Sequence, residues 1–351
     1  MRKMKIGIIM GGLSSEREVS LNSGRNVYDH LDNELYEGVP LFMDHGGNLW
    51  CIPWQLVSQN TTVDIMDRLE REGQRLAYED LGEKVDFVFI CLHGKYGDDG
   101  CIQGLLELLR IPYTGSGVLA SALGMDKHVQ LIFLKAAGLD VPSSMVIPER
   151  DWIRDPKTVW DNILSRFSFP LVVKPTREGS STGVTIIQDS EGLADGIQNA
   201  LQWDSSVLLE EYLNGTEFSS IVLEEEGHIR ALEVTEIHPQ SEFYTYDDKY
   251  MPGRCRKFTP PKTIPPDVVA KIKEAAVRAF LALGFRSYGR MDGFLLTDGR
   301  ILITDPNSSS GMAPSSFFFE QAACSGMLPS MIISHLIENA IQIHSAKIGP
   351  L

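Results

Sequence analysis

Apolar runs alternate with amphipathic stretches through the first third of the chain. Ile6 to Met10 reads as a buried strand, Gly11 to Ser15 as a turn, and Glu18 to Leu31 as a helix. Ser15 and Glu18 fit a capping box, with Ser15 as N-cap, which leaves Glu16 without a structural duty. Val85 to Leu92 is a second strand. It opens into the glycine-rich loop His93 to Gly100, and Ile102 to Leu109 reads as the next helix. Such alternation predicts a parallel sheet, whose loops at the carboxyl ends of the strands commonly hold ligands.

A second unit starts near Met125-Asp126-Lys127. Its helix runs to about Ala137, where Gly138 and Pro142 stop it. Leu171 to Lys174 then reads as a strand, followed by the loop Pro175 to Gly183, a strand at Val184 to Ile187, and another at Val207 to Tyr212. From about Gly215 the pattern gives strands, a polar loop from Pro239 to Pro261, a helix from Pro266 to Leu283, a hairpin and a terminal helix.

That hairpin is the most informative stretch. Two short apolar runs flank Asp298-Gly299, the signal for a two-residue type I′ turn. Such a turn sets Asp292 opposite Asp305 and Arg290 opposite Asn307. Period-two alternation then puts all four on one face. Like charges directly opposed destabilise a ribbon unless something offsets them. Carboxylate and amide oxygens are the donors that a hard cation such as Mg²⁺ takes.

Bulk properties narrow the partners. A chain of 351 residues suggests two or three domains, and 32 basic against 47 acidic residues give a net charge of −15. That balance argues against nucleic acid or an anionic membrane as partner, so any phosphate site must be built locally. The five cysteines show no CxxC spacing and read as reduced thiols. Met1 to Lys5 leads into too short an apolar run for a secretory signal, and no stretch approaches a membrane span; the expectation is a cytoplasmic chain.

Lys174 at a strand end, followed by Gly179-Ser180-Ser181-Thr182-Gly183, suits an anion: small residues let backbone N–H groups approach, and the lysine adds a point charge. No Gly-Lys-Ser/Thr follows, so this is not a Walker A loop. Taken singly, His93, Lys249-Tyr250 and this loop have ordinary structural explanations.

Their order is more specific. The run Gly11-Gly12-Leu13-Ser14-Ser15-Glu16-Arg17-Glu18-Val19-Ser20-Leu21-Asn22-Ser23-Gly24 is followed by Leu92-His93-Gly94 with Asp99-Gly100, then by Pro112 to Gly117 and Met125-Asp126-Lys127. Val173-Lys174-Pro175, Arg177 to Ser181, Glu217-Phe218, Lys249-Tyr250, Gly289 to Asp292 and Asn307 to Met312 complete the series. Over nearly its whole length the chain resembles the D-alanine–D-alanine ligases of the ATP-grasp superfamily.

The resemblance implies an α/β three-domain ATP-grasp fold. An N-terminal parallel-sheet domain (1–124) would precede the central (125–214) and C-terminal (215–351) ATP-grasp domains. It implies ATP with two Mg²⁺ ions, Mn²⁺ being a possible substitute, D-alanine as substrate, and a homodimer. By similarity, Lys127 and Lys174 contact the phosphates under a lid formed by Gly179 to Gly183, including Ser181. Glu210, Glu211, Tyr212 and Leu213 meet adenine, and Glu217 the ribose. Asp292, Asp305 and Asn307 hold the metals, while Arg290 and the Gly311 N–H stabilise an oxyanion. Glu16 binds the first substrate's ammonium in a chain with Ser180 and Tyr250, beside His93. Lys249 and Ser316 meet the second substrate's carboxylate or the transferred phosphate.

Two departures stand out. Asp305 replaces the family's usual glutamate and is one methylene shorter, which weakens the case for bidentate bridging of both metals. Phe317 stands where an aliphatic residue is common and would border the second amino-acid subsite. A ligase of the same mechanism with another acceptor, such as D-serine or a specialised-metabolite amine, therefore remains an alternative. Lys249-Tyr250 speaks against an alcohol nucleophile. A non-catalytic nucleotide-binding paralogue is disfavoured by Lys127, Lys174, Arg290, Asp292 and Asn307.

Overall fold

The computed structural model describes residues 2–225, 227–239 and 255–347, arranged as three sheets. The first contains β1 (Met4–Gly11), β2 (Tyr36–Met43), β3 (Leu49–Cys51), β4 (Gln74–Leu76) and β5 (Phe87–Ile90), ordered β4-β3-β2-β1-β5. Only its centre matches the expected parallel sheet. β1 pairs in parallel with β2 and β5, whereas β3 and β4 add antiparallel at the edge. A tight turn with Gly47 at φ +77° joins β2 to β3, whereas three short helices lie between β3 and β4.

The second sheet is antiparallel: β6 (Ser144–Pro148), β7 (Leu171–Pro175), β8 (Thr185–Ile187) and β9 (Ser206–Glu211), ordered β6-β9-β7-β8. The third, also antiparallel, holds β10 (Gly215–Glu225), β11 (His228–Pro239), β12 (Cys255–Phe258), β13 (Tyr288–Leu296) and β14 (Ile301–Asn307), ordered β12-β11-β10-β13-β14. The stretch expected to be one polar loop thus contains β12. Lys249 and Tyr250 lie outside the described residues.

The third sheet is covered on both faces. The helix Pro266–Ala282 packs Ile272, Ala276 and Phe280 against Phe218, Val222, Met291 and Ile303. On the other face Ile221, Leu223 and Tyr288 share a core with Phe318, Ile332 and Leu336, and with Ile8 and Phe89 of the first sheet. The expected terminal helix is two, Phe317–Cys324 and Pro329–Lys347, separated by a turn with Gly326 at φ +75°. The expected helix after Met125 is present as Lys127–Ala136, and a further helix, Val118–Met125, precedes it. They break at Asp126, which caps Lys127–Ala136 by accepting the Val129 N–H at 3.1 Å.

The capping box at Ser15 does not form. The helix runs Arg17–Asp29 with Glu16 as N-cap, and Glu18 instead accepts the Thr62 N–H and hydroxyl at 2.8 and 2.5 Å. A tertiary partner offered Glu18 two donors, which outbid the single local one.

The hairpin register holds at its functional end for a reason the sequence did not suggest. Arg290 pairs with Asn307 and Asp292 with Asp305, as the turn signal implied. Yet the turn is longer than two residues: Leu296 N–H bonds Arg300 O and Gly299 N–H bonds Leu296 O, with Gly299 at φ +88°. Nearer the turn the pairs are Phe294–Leu302 and Leu295–Ile301, and the ladder shifts between Asp292 and Gly293. The bulge, with Thr304 as the extra residue, compensates for the longer turn.

Gly293 makes that bulge possible. A Cβ there would meet the Leu302 carbonyl oxygen and, at 2.7 Å, the Phe218 ring. Gly293→Ala is therefore expected to destabilise the protein by about 1–3 kcal/mol, as overpacking does. Chemical denaturation checks this, and an unchanged midpoint would refute the close approach.

Candidate active site

A cavity of about 360 Å³ lies between the second and third sheets. Val172, Ile186, Ile237 and Phe294 give it apolar walls, and Lys127, Lys174 and the loop Glu178–Thr182 line one part of it. Glu210 to Asn214, the crossing from β9 to β10, lines another, with Glu217, Asp292 and Asp305. Twelve of the residues singled out by sequence meet here: Lys127, Lys174, Gly179, Ser180, Ser181, Glu210, Glu211, Tyr212, Leu213, Glu217, Asp292 and Asp305.

Strand alternation sets the polar floor. Ser219 faces Asp292 and Glu217 faces Phe294 across β10 and β13. Ser219 donates to Asp292 Oδ1 at 2.7 Å, and Arg290 forks onto the same carboxylate with Nε–Oδ2 at 3.0 Å and a terminal nitrogen at 2.9 Å. Asn307 Nδ2 lies 3.4 Å from Asp292 Oδ2 and donates to the Asp305 carbonyl at 2.7 Å. Asp305 in turn lies 3.6 Å from Lys127 Nζ. Each of the opposed acids thus meets a cation. Ser219 had no distinguishing signal in the sequence; only the register reveals it.

The donor set fits Mg²⁺. Two carboxylates and an amide oxygen are hard ligands, and a metal held by so few protein groups takes its remaining oxygens from phosphate and water. Among the described residues no cluster of three or more His, Cys, Asp or Glu competes for a metal.

The nucleotide end fits as well. Lys174 Nζ and Glu210 Oε2 pair at 2.7 Å, both buried, while Glu210 Oε1 is buried with no hydrogen-bond partner among the described residues. A buried carboxylate oxygen left open is costly, and an N–H donor from a ligand would satisfy it. Glu211, also on the cavity lining, accepts the Ser143 N–H through its carboxylate at 2.7 Å. Ser180 and Ser181 adopt φ of +51° and +59°, a left-handed pair that can turn backbone N–H groups toward an anion.

The lid is closed onto the first sheet's loops. Ser180 donates to Glu16, and Lys95 pairs with Glu178. A Cβ at either Gly94 or Gly179 would approach Glu16 Oε2 to 2.6 Å, so the carboxylate is enclosed between two glycines. Beside it His93 is buried, 3.0 Å from Ser23 Oγ and 3.8 Å from Asp98 Oδ2. Burial opposes a charge on the imidazole, but Asp98 and the nearby Glu16 outweigh it and hold the pKa above its ordinary value.

Other expected residues lie on the segment after β14. Among the described residues, a Cβ on Gly311 would meet nothing within 4 Å. Ser316 precedes the helix Phe317–Cys324 with its Oγ buried and unpartnered among the described residues, and Lys257 Nζ sits 4.4 Å from the Phe317 ring centre. Ser23, Lys95, Asp98, Glu178 and Ser309 lie in the quoted runs but were given no role; their contacts cross between distant parts of the chain.

Removing Lys174 should expose the strain in its buried pair. Lys174→Ala leaves Glu210 uncompensated, a change that typically costs about 3–5 kcal/mol, and removes the phosphate contact expected of Lys174. Lys174→Met with Glu210→Leu is expected to recover thermal stability without recovering ATP affinity. Calorimetry and nucleotide titration together check this, and unchanged ATP affinity in both variants would refute the assignment.

The comparisons agree with this geometry. A model described as D-ala D-ala ligase N-terminus matches residues 5–116, and one described as D-ala D-ala ligase C-terminus matches 133–338. D-alanine–D-alanine ligase A of Mesorhizobium japonicum is 34% identical, covering 98% of this chain and 99% of the relative. The D-alanine–D-alanine ligase of Geotalea uraniireducens is 38% identical over 93% and 92%. Among solved structures, the VanG D-Ala:D-Ser ligase of Enterococcus faecalis superposes with a TM-score of 0.83 at 28% identity, covering 97% and 100% of the two chains. The D-alanine–D-alanine ligase of Coxiella burnetii gives 0.84 at 25%, covering 99% and 97%. The chain belongs to the D-alanine–D-alanine ligase family, ATP-binding ligases of peptidoglycan precursor synthesis that generally use Mg²⁺.

Proposed function

We propose that this chain joins two D-alanines into D-alanyl-D-alanine with conversion of ATP to ADP and phosphate. The carboxylate of the first D-alanine attacks the γ-phosphate, giving an acyl phosphate and ADP. The amine of the second attacks the acyl carbon, and phosphate leaves from the tetrahedral adduct. The observation that carries this reading is the meeting of Lys127, Lys174 and the lid with the acid pair Asp292–Asp305 in one cavity.

In that scheme Lys127, Lys174 and the backbone of Gly179 to Ser181 grip the phosphates, a reaction class in which positioning and electrostatics dominate. Glu210 to Leu213 meets adenine and Glu217 the ribose. Asp292, Asp305 and Asn307 would hold two Mg²⁺ ions, which offset phosphate charge. Glu16 takes the first substrate's ammonium, with Ser180 and Tyr250 closing over it and His93 beside it. Arg290 and the Gly311 N–H receive the oxyanion, while Lys249 and Ser316 bind the acceptor's carboxylate or the phosphate. Phe317 borders the acceptor. We place the unit boundaries at 1–124, 125–214 and 215–351, and assign the chain to the cytoplasm as a homodimer.

A D-serine acceptor is the second reading. The resemblance to the D-Ala:D-Ser ligase of E. faecalis favours it, together with the aromatic Phe317 at the acceptor border.

Phosphate release from ATP and Mg²⁺ across a panel of D- and L-amino acids decides among these readings. D-alanine alone should give ADP and dipeptide; a requirement for another acceptor would establish the second reading. No turnover with ATP still bound would show a non-catalytic paralogue. Arg290→Ala should lower ligation by about 10²–10³-fold with the fold intact, the usual cost of an oxyanion donor; near-normal activity would overturn its role. Asp305→Glu should lower kcat severely if the pocket is built around the shorter acid, and activity equal to wild type would show that it is not.

A further inference from the structure

We propose that Ser23, Asp98 and Ser309 are positioning residues that hold the segment Ser308–Met312, and with it the Gly311 N–H, in register with the reacting acyl carbon. The inference rests on the reading of Gly311 and Arg290 as oxyanion donors.

Both ring nitrogens of His93 connect to that segment through a single intermediary. On one side, Ser23 Oγ lies 3.0 Å from His93 Nε2 and accepts the Met312 N–H at 3.0 Å. On the other, Asp98 Oδ2 lies 3.8 Å from His93 Nδ1, and Asp98 Oδ1 accepts the Ser309 hydroxyl at 2.7 Å. Asn26 Nδ2 adds a third tie, donating to the Met312 carbonyl at 2.8 Å. The arrangement suits the imidazole tautomer that carries its proton on Nδ1, facing Asp98, with Nε2 accepting from Ser23.

The attachment points, Ser309 and Met312, straddle Gly311. Every anchoring group comes from the first unit, whereas the segment belongs to the third. On the side where a Cβ would project, Gly311 meets nothing within 4 Å among the described residues, so the ties act together with the buried Met312 in restraining it. Ser23 and His93 are buried, and the Gly94 N–H fixes Asp98 Oδ2 at 2.9 Å, so the anchors are themselves rigid. A donor held in this way stays aligned only while its ties hold, and a misplacement of about 1 Å can cost roughly 10²-fold in rate. A purely structural role for the same bonds would instead affect stability and every kinetic step alike.

The test uses the full-length enzyme with Ser309→Ala, Ser309→Thr and Ser23→Ala, and Arg290→Ala as a control. Acyl-phosphate formation is followed by positional isotope exchange in ATP with D-alanine, and the whole reaction by dipeptide formation. We expect Ser309→Ala and Ser23→Ala to lower kcat for dipeptide by about 10–100-fold. ATP KM, Mg²⁺ half-saturation and isotope exchange should stay near wild type in both. So should the melting temperature of Ser309→Ala, whose hydrogen bond is only part-buried. Ser23→Ala, which leaves the buried Met312 N–H unpaired, should melt lower. Ser309→Thr, which keeps the hydroxyl, should restore kcat. Unchanged kcat in both alanine variants would overturn the proposal. So would parallel losses in kcat, isotope exchange and melting temperature that threonine does not rescue. If Arg290→Ala also ligates normally, the oxyanion reading itself is wrong; if Arg290→Ala is dead while Ser309→Ala and Ser23→Ala are normal, only the positioning role fails.

Discussion

Two carboxylates set face to face across one antiparallel pair are the constraint around which this molecule is arranged. Asp292 and Asp305 occupy directly opposed positions on β13 and β14, where like charges repel. The protein offsets that repulsion with groups from three places. Arg290 is two residues away on the same face, Ser219 comes from the neighbouring strand, and Lys127 reaches in from the start of a helix before the second sheet. The third sheet is therefore complete electrostatically only when the second unit sits over it. The cavity between them follows from that arrangement.

Closure over the cavity depends on a second charged group, Glu16. Its carboxylate is reached by Ser180 of the lid and bounded by Gly94 and Gly179, whose lack of a side chain permits the approach. The lysine–glutamate pair of Lys95 and Glu178 adds a tie between the same two regions. Lid, first unit and third unit thus converge on one small volume. The buried His93, with Asp98 and Ser23 at its two nitrogens, links that volume to the segment carrying Gly311. A reaction that must exclude water while charge moves from a phosphate to an oxyanion is served by such closure.

The hairpin shows how a sequence argument can reach the right pairs by an incomplete route. Asp298-Gly299 signalled a two-residue turn, and the acids were placed opposite each other on that basis. The real turn is longer, and a bulge at Thr304 restores the offset before Asp292 is reached. Gly293 was needed for the bulge because a side chain there would strike Leu302 and Phe218. Neither the longer turn nor the bulge has a local signature strong enough to read. The capping box failed for the same kind of reason: Glu18 found Thr62, 44 positions away in the chain.

Local periodicity determined most strands and helices, because burying one face requires apolar residues at regular spacing whatever the partner. The linear order of the motifs determined the family, and with it the types of group expected to meet ATP and Mg²⁺. Tertiary structure alone decided which donors complete those groups. Ser219 on Asp292, Glu210 against Lys174 with one oxygen left open, and the ties from Ser23 and Asp98 to the Gly311 segment all join residues far apart in sequence. Side-chain hydrogen bonds and ion pairs act over a few ångströms. They exist only once the sheets have brought their partners together, and no spacing along the chain records them.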